Sequence, residues 1–489
     1  MPEKSVCFCA YPSAFIYNPA DLSDEKNRAK HLFWGDTVVR EGGPQNGWVR
    51  VSSRDVSGWM RESDVQSDPL LDIIFLDVGQ GDSCLVVTPA DEKIIVDAGK
   101  EDNLLRYLRW RYKNYETAEM RAMGGRIKAL VISHPDDDHY GGLRGILDDP
   151  KFGSLIDFEA VYHNGLFPRA GSGLDSLGAR TKVGTIGYLE EPIVTQADLD
   201  DFFAHAAGWQ SLEYPSLVHR LRMKNPATTV RMIHHGAPGI ANLTAVPGLS
   251  VTVLGPVLEP GGSRGRLRTF SGSVPMTKNG HSVVLRIHYG SVSILLGGDL
   301  NIPSEKFLLD FYKDKPGIFR SDVLKAYHHG SGDFAEEFIE AVCPYVSIIS
   351  SGDNESYSHP RADTMGFLGK AGRGRRPLIF STELARSSRD IVKNPFVLKK
   401  EFADLKATLH RADVGARERD KAETRLAELE NKLINRSVSV YGAVNLRTDG
   451  RNLLMCQKKE APNRQREEWD IYLLEPDATT GGLRFIPRN

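Results

Sequence analysis

The stretch VISHPDDDHYGG, residues 131 to 142, restricts what this chain can fold into more than any other. Three consecutive aspartates stand between two histidines, directly after an apolar run and directly before two glycines. Carboxylates that repel one another make poor core, so they either face water in a turn or are held together by a cation. The run ALVIS ahead of them reads as a buried strand, and groups at a strand end sit on a rigid scaffold while staying open to solvent. Alternate residues of an extended segment share a face, which puts His134, Asp136 and Asp138 together and turns Asp137 outward. His139 follows as the backbone turns toward Gly141 and Gly142. Pro135 stiffens the segment, and the glycines let a helix begin close beneath it. Four nitrogen and oxygen ligands within six residues strain one small cation but suit two adjacent ones. The bracketing histidines make a solvated acidic turn the weaker reading.

Further potential ligands stand at the exits of later strand-like runs. Asp299 follows SILLGG, His328 and His329 follow DVLKAY, and His359 follows VSIISSGDNESY. Upstream, LDIIFLDVGQGDSCLVVTP and EKIIVDAG are β-branched runs broken by a Gly-rich turn, and 103 to 122 reads as one amphipathic helix. Strand-like and helix-like segments alternate through EEFIEAV and YVSIIS, as helices layered on a sheet require. The segment 144 to 280 reads as an insertion over one face of the site. Its Arg264, Arg266 and Arg268, in a Gly-rich stretch, either meet a phosphate-bearing substrate or lie in a solvated loop.

Flanking units complete the expected organisation. Residues 1–69 show short strand-like runs separated by Gly, Pro, Asn and Asp turns. The order Trp34-Gly35-Asp36, Asn46-Gly47-Trp48 and Ser57-Gly58-Trp59 resembles a bacterial SH3-like domain, a small β-barrel of a docking rather than catalytic kind. Read singly, Trp48 and Trp59 fit the filling of a small core. Beyond a catalytic body at 70–395, residues 396–489 read as a C-terminal helical and β extension. Ala422, Leu426, Leu429 and Leu433 form an apolar stripe over about two heptads, which packs on the body or forms a homodimer contact. The tail reads as a small sheet joined by an RTDG turn.

Taken together, the pieces resemble the metallo-β-lactamase superfamily, in the subgroup typified by the corresponding domain of the DNA-uptake protein ComEC. HPDDDHYGG is similar to that subgroup's HxDxDHxGG metal motif. FLDVGQGDS, IIVDAG, NGHSVVL, LLGGDL, KAYHHGS and NESYSHP follow in family order over residues 71 to 365. The resemblance implies an α/β fold, the four-layer αββα sandwich, with a two-metal site at one edge. It implies His134 and Asp136 on the first metal, Asp138 and His139 on the second, Asp299 bridging, and His359 completing the set. His329 competes for that last place or donates a proton, and His328 is structural or a further ligand. Asp97 would orient a ligand histidine from behind. Asp77, Gln80, Gly81 and Asp82 line the site, and Asn279 supports it. Asp136 in place of the superfamily's usual second histidine gives a more oxygen-rich site, so the implied cofactors are two divalent ions, Zn2+ or Mn2+. The superfamily's third-motif histidine has no clear counterpart; His234, His235 and His281 are the candidates.

Phosphodiester hydrolysis of DNA, RNA or a nucleotide fits this centre best, with Asp138 and His329 as the catalytic pair. Two metals about 3.5 to 4 Å apart acidify a water and clamp the attacking and leaving oxygens. Hydrolysis of a lactone, thioester or β-lactam is the first alternative. A metal-stabilised binding or scaffolding protein, whose SH3-like head takes a peptide or protein ligand, is the second. A net charge of −2 argues against wrapping long nucleic acid by electrostatics alone. Five scattered cysteines make no disulfide framework, and Cys7-x-Cys9 reads as apolar filling. With no signal-peptide pattern and no apolar run of about 18 residues, a cytoplasmic protein without membrane insertion is expected.

Overall fold

The computed structural model describes residues 4–487 apart from 19–24, 55, 353–356, 384–394, 412, 436–439, 441 and 460. The first three residues of NESYSHP, the stretch before the expected boundary at 395, and the Leu433 side chain lie outside the described residues.

Two mixed sheets pack face to face. The first runs in spatial order Thr229–Met232, Asp157–His163, Arg126–Val131, Lys93–Val96, Cys84–Val87, Leu71–Phe75, Val444–Thr448, Leu453–Lys458, Trp469–Pro476 and Leu483–Ile486. Its first four strands are parallel and the rest antiparallel. The second comprises Leu249–Gly255, Val284–Tyr289, Val292–Leu296, Val323–Lys325, Val346–Ile349 and Leu378–Ser381. Strands such as KIIV and VSII are buried on both faces, which is why they read as continuous β-branched runs rather than alternating ones. Ile73, Phe75, Val131, Ile294, Val346 and Leu446 fill the space between the sheets. Leu104, Leu108 and Leu217 belong to the core on the outer face of the first sheet, and Leu308, Phe338 and Phe367 to that of the second. This is a helix–sheet–sheet–helix sandwich.

Three segments differ from their sequence reading. The expected helix over 103 to 122 is two, Asn103–Arg111 and Ala118–Gly125. Lys113, Asn114 and Tyr115 take positive φ between them, and Thr117 restarts the helix by accepting from Met120 N at 3.1 Å. The segment 144 to 280 is only partly an insertion: Asp157–His163 and Thr229–Met232 extend the first sheet, and Leu249–Gly255 opens the second. The C-terminal strands do form a meander through the RTDG turn, but Val444–Thr448 pairs antiparallel with Leu71–Phe75 and so joins the body's own sheet. Hydrophobic pattern marks a buried strand; it does not say which distant strand becomes the partner. In the helix Ala416–Asn435, Ala422 and Leu429 are buried within the chain, and Arg425 pairs with Glu401 of the preceding helix.

The N-terminal unit is a seven-stranded antiparallel sheet around Cys9, Ile16, Leu32, Val38, Val49, Val51 and Met60. Its core is aliphatic, while Trp48 and Trp59 are half-buried outside it. A buried arginine ties this unit to the sandwich: Arg447 pairs with Asp36 (3.0 Å) and Asp72 (3.2 Å) and lies 3.8 Å over the Phe33 ring. Arg111 adds a second contact to Asp72 at 2.8 Å.

Candidate metal centre

The ligand-rich loop leaves the first sheet at Val131 and enters a short helix, Asp137–Tyr140. It rests on the DVGQGD turn. Gly81 has φ +103° there, and a Cβ would stand 1.8 Å from the Asp138 carbonyl oxygen, so only glycine fits. Asp82 N donates to that same carbonyl at 3.2 Å. Asp77 accepts from Gly79 N at 3.1 Å and shapes the turn. Asp137 turns outward to Arg144, 2.8 Å away.

Three imidazoles converge with the same nitrogen. His139 Nδ1 meets Asp97 Oδ2 at 2.9 Å, while Asp97 Oδ1 accepts from Ser133 N at 2.7 Å. His329 Nδ1 donates to the Ser350 carbonyl at 3.0 Å. His134 Nδ1 lies 3.0 Å from Ser133 Oγ and 3.3 Å from Ser282 Oγ. With each Nδ1 engaged, each ring offers Nε2, and the hydrogen bond at the far nitrogen sets which tautomer is held. Among the described residues these three Nε2 atoms, and Asp299 Oδ1, are buried without a hydrogen-bond partner. Orphaned buried polar atoms are rare and costly, about 1 to 3 kcal/mol each, unless something outside the protein satisfies them.

Carboxylates surround them. Asp299 Oδ2 is 3.3 Å from both His139 Nε2 and His329 Nε2, and Asp138 Oδ2 is 3.5 Å from His329 Nε2. Four sets of side chains bring ligand atoms within 4.8 Å of one another: His134, His139 and Asp299; Asp138, His139 and His329; Asp82, Asp97 and His139; Asp82, Asp299 and His329. Asp136 Oδ2 is 3.5 Å from His134 Nε2 and Asp136 is paired with Lys278. Asn279, its amide turned nitrogen-first, donates to Asp136 Oδ2 at 3.1 Å. Lys325 is buried against Asp82 and donates to the Gly298 carbonyl at 3.2 Å.

The electrostatics match a cation site. Among the described residues, Asp82, Asp97, Asp136, Asp138 and Asp299 face only Lys278 and Lys325 as permanent cations. Burial works to lower the His139 and His329 pKa, yet Asp299 with Asp97 on the first, and with Asp82 on the second, drives both well above the ordinary histidine range. Burial likewise works to raise Asp136, but the His134 ring and the Lys278 ammonium bring it down to about 2. A buried donor set of imidazole Nε2 and carboxylate oxygen in a strongly negative field fits Zn2+ or Mn2+.

Not every expected residue reaches this cluster. His359 lies with its ring 6.5 Å from that of His329 and 5.6 Å from that of His328, whereas His329 belongs to the tight sets. His328 Nε2 is 3.9 Å from Asp299. His281 turns into the insertion, its Nε2 2.6 Å from the Arg268 carbonyl, and burial pushes it down to about 4. His235 bonds Tyr312 at 2.7 Å, and His234 Nδ1 the His235 carbonyl at 2.7 Å. Arg264, Arg266 and Arg268 are matched by Asp198, Glu190 and Glu259 within the insertion. Sequence reasoning missed Ser133, Ser282, Lys278 and Lys325. Lys325 opened the quoted KAYHHGS and Lys278 stood just ahead of NGHSVVL, and a cation next to a cluster of acids is the signal that was available.

The profile of the metallo-beta-lactamase superfamily matches residues 76–333. ComE operon protein 3 of Bacillus subtilis is 25% identical over 310 residues, covering 61% of this chain and 30% of that protein. Competence protein ComA of Neisseria gonorrhoeae is 39% identical over 83 residues, covering 17% of this chain and 12% of that protein. The chain thus spans less than a third of either relative. Among solved structures, Tm1679, a metal-dependent hydrolase of the beta-lactamase superfamily, is 14% identical, with 64% of this chain and 95% of that chain covered and a TM-score of 0.31. A mutant CmlA beta-hydroxylase is 13% identical, with 65% and 53% covered and a TM-score of 0.32.

Proposed function

Because this chain belongs to the metallo-β-lactamase superfamily, we propose that it is a metal-dependent phosphodiesterase or nuclease acting on DNA, RNA or a nucleotide. The observation that carries the metal chemistry is the convergence of three buried, unpartnered Nε2 atoms with Asp138 and Asp299. A binding site for metals that served only structure would be closed by protein ligands on all sides; here Asp136 and Asp138 keep part of their side chains open to solvent.

On this reading His134 and Asp136 would hold one ion and Asp138, His139 and His329 the other, with Asp299 as a further ligand. Bound divalent ions supply Lewis acidity and acidify water. The chain's own residues do the rest. The Asp97 carboxylate and the Ser350 carbonyl engage Nδ1 of His139 and His329, which would leave the Nε2 lone pairs for a metal. Asp138 is placed to orient the attacking water. Lys278, on the rim beside Asp136, is placed to face a non-bridging phosphate oxygen.

A nucleic-acid substrate is supported by the relative named as a competence protein and by the resemblance to the DNA-uptake subgroup. Both relatives are far longer, so their wider roles do not transfer. No described helix is long and apolar enough to cross a membrane. For residues 1–69 the reading is an SH3-like docking unit, supported by the aromatic residues Tyr17 and Trp48, which pack edge to face at 5.5 Å outside its core. The test is a parallel assay of the zinc- and manganese-loaded protein on bis(p-nitrophenyl) phosphate, single- and double-stranded DNA, RNA, a lactone and nitrocefin. Turnover confined to the phosphodiesters is expected; turnover confined to the lactone or nitrocefin would overturn the assignment.

A further inference from the structure

At the opposite end of the parallel strands from the metal centre lies a second feature that the hydrolase reading does not use. A cavity of about 370 Å³ opens where the broken helix at 111–118, the turn at Lys151 and Phe152, and the C-terminal helix at Ala427 meet. Gly125, just ahead of the strand Arg126–Val131, packs on the backbone of Leu155 in the cavity wall, whereas His134 stands past the other end of that strand. Eight extended residues at about 3.3 Å each separate the two places by about 25 Å.

The wall is cationic. Among the described residues, Arg109, Arg121 and Lys151 line the cavity with a single carboxylate, Glu116, in a chain of net charge −2. Arg109 is buried, lies 3.7 Å over the Phe152 ring and reaches Asn114 Oδ1 at 3.3 Å. Arg121 donates to the Tyr115 and Glu116 carbonyls at 2.8 and 3.0 Å, which leaves part of its five-donor fork unused. Among the described residues neither Arg121 nor Lys151 has a carboxylate partner. Arg126, Arg180 and Arg220, exposed like them, each have an acid beside them.

The backbone is also unusual here. Lys113, Asn114 and Tyr115 have φ of 46°, 52° and 55° in succession. Each non-glycine residue in the left-handed region costs about 1 kcal/mol, and such positions persist where the surroundings hold them and cluster at ligand-binding sites. Arg109, through Asn114, and Arg121, through the Tyr115 and Glu116 carbonyls, help to hold this turn. Phe152 and Tyr115, both buried, with Leu155 and Ala427, add an apolar wall.

We propose that this cavity binds a phosphate-bearing organic anion of mononucleotide size. The cations select the phosphate, and the guanidinium of Arg121 suits its bidentate recognition. The volume lies within the range of small-molecule sites, which an inorganic anion would leave largely unfilled, and the apolar wall calls for a ring system. The Glu116 carboxylate supplies an acceptor for ring or sugar donors. The site is independent of the metals and of whether the chain hydrolyses phosphodiesters.

Calorimetric titration of the full chain, stripped of metals by chelation, with adenosine 5′-monophosphate tests this. One equivalent should bind, with adenosine and inorganic phosphate each at least about tenfold weaker. The Arg121→Ala/Lys151→Ala double variant, both positions exposed at the surface, should lose at least about tenfold in affinity, and Lys151→Ala alone, which leaves the Arg121 bonds to the turn in place, should weaken binding at the wild-type melting temperature. Lys278→Ala, at the metal centre, should bind as the wild type does. No saturable binding, equal binding by the double variant, or phosphate binding as tightly as the nucleotide would overturn the proposal. The double variant loaded with metal should hydrolyse bis(p-nitrophenyl) phosphate at the wild-type rate, so failure of the hydrolase reading and failure of this one register in different assays.

Discussion

Replacing Asp97 by asparagine isolates the part of the account that concerns proton placement. Asp97 is 1% exposed and has φ +60°, a conformation that aspartate and asparagine share more readily than other side chains, so the backbone should accept the change. The Ser133 N–H, 2.7 Å from Oδ1, needs an acceptor, which obliges the asparagine to place its oxygen there. Its nitrogen then occupies the position of Oδ2, 2.9 Å from His139 Nδ1. An NH2 group can only donate to that nitrogen. The His139 proton is therefore forced to Nε2, 3.3 Å from Asp299, where a metal ligand would need a lone pair. Loss of such a supporting carboxylate weakens metal binding by about 10- to 100-fold, or about 1.4 to 2.7 kcal/mol. A chelator competition titration with Zn2+, read against the wild type, measures the effect, and the melting temperature of the metal-free proteins controls for folding. An Asp97→Asn protein that folds normally and binds zinc within about twofold of wild type would refute the tautomer argument.

Further expectations follow from other parts of the chain. Gly81→Ala would drive a methyl group into the Asp138 carbonyl oxygen at φ +103°, so a loss of at least about 2 kcal/mol in stability, seen by thermal melting, is expected together with loss of metal binding. Arg447→Ala leaves Asp36 and Asp72 buried with fewer cations, and breaking such a pair costs about 3 to 5 kcal/mol. Limited proteolysis should then cut between the N-terminal unit and the sandwich where the wild type resists. Burial, opposed by a hydrogen bond from Ala335 N and reinforced by Asp333 and Glu337, pushes the Glu305 pKa up to about 8. Because this folded value lies above the unfolded one, the folded chain holds the extra proton between about pH 4.5 and 8, and stability falls as pH rises through that window. Glu305→Gln should flatten that slope in melts taken across the window; an unchanged slope would mean that Glu305 is not its source.

How far the sequence spoke depended on the range of the interaction. The ligand loop was readable in its residues because its geometry is local, and Asp137 does pair outward with Arg144; but the first turn of the helix Asp137–Tyr140, not strand alternation, separates it from Asp138. The exits of later strands were readable for the same reason, and Asp299 and His329 stand at two of them. What pattern could not supply was partner choice across long separations. Val444–Thr448 reads as a strand, but its pairing with Leu71–Phe75 depends on which sheet edge the folded body leaves open. The same holds for Asp157–His163 and Thr229–Met232, hidden in a segment whose polar loops masked them. Choosing between His329 and His359 needed ring positions, since both follow strands and both precede turn residues. The lysines on Asp82 and Asp136 escaped because ion pairing inside an acidic site has no periodicity.

The central claim is that a metal centre built around Asp138 and His139 performs phosphodiester hydrolysis. Its most direct test is the rate of bis(p-nitrophenyl) phosphate hydrolysis by Asp138→Ala, refolding checked and metal restored, against wild type under the same zinc or manganese load. The account predicts a fall of at least about 100-fold, since one substitution removes both a ligand and the group that orients the attacking water. A variant that hydrolyses the diester at the wild-type rate would contradict it.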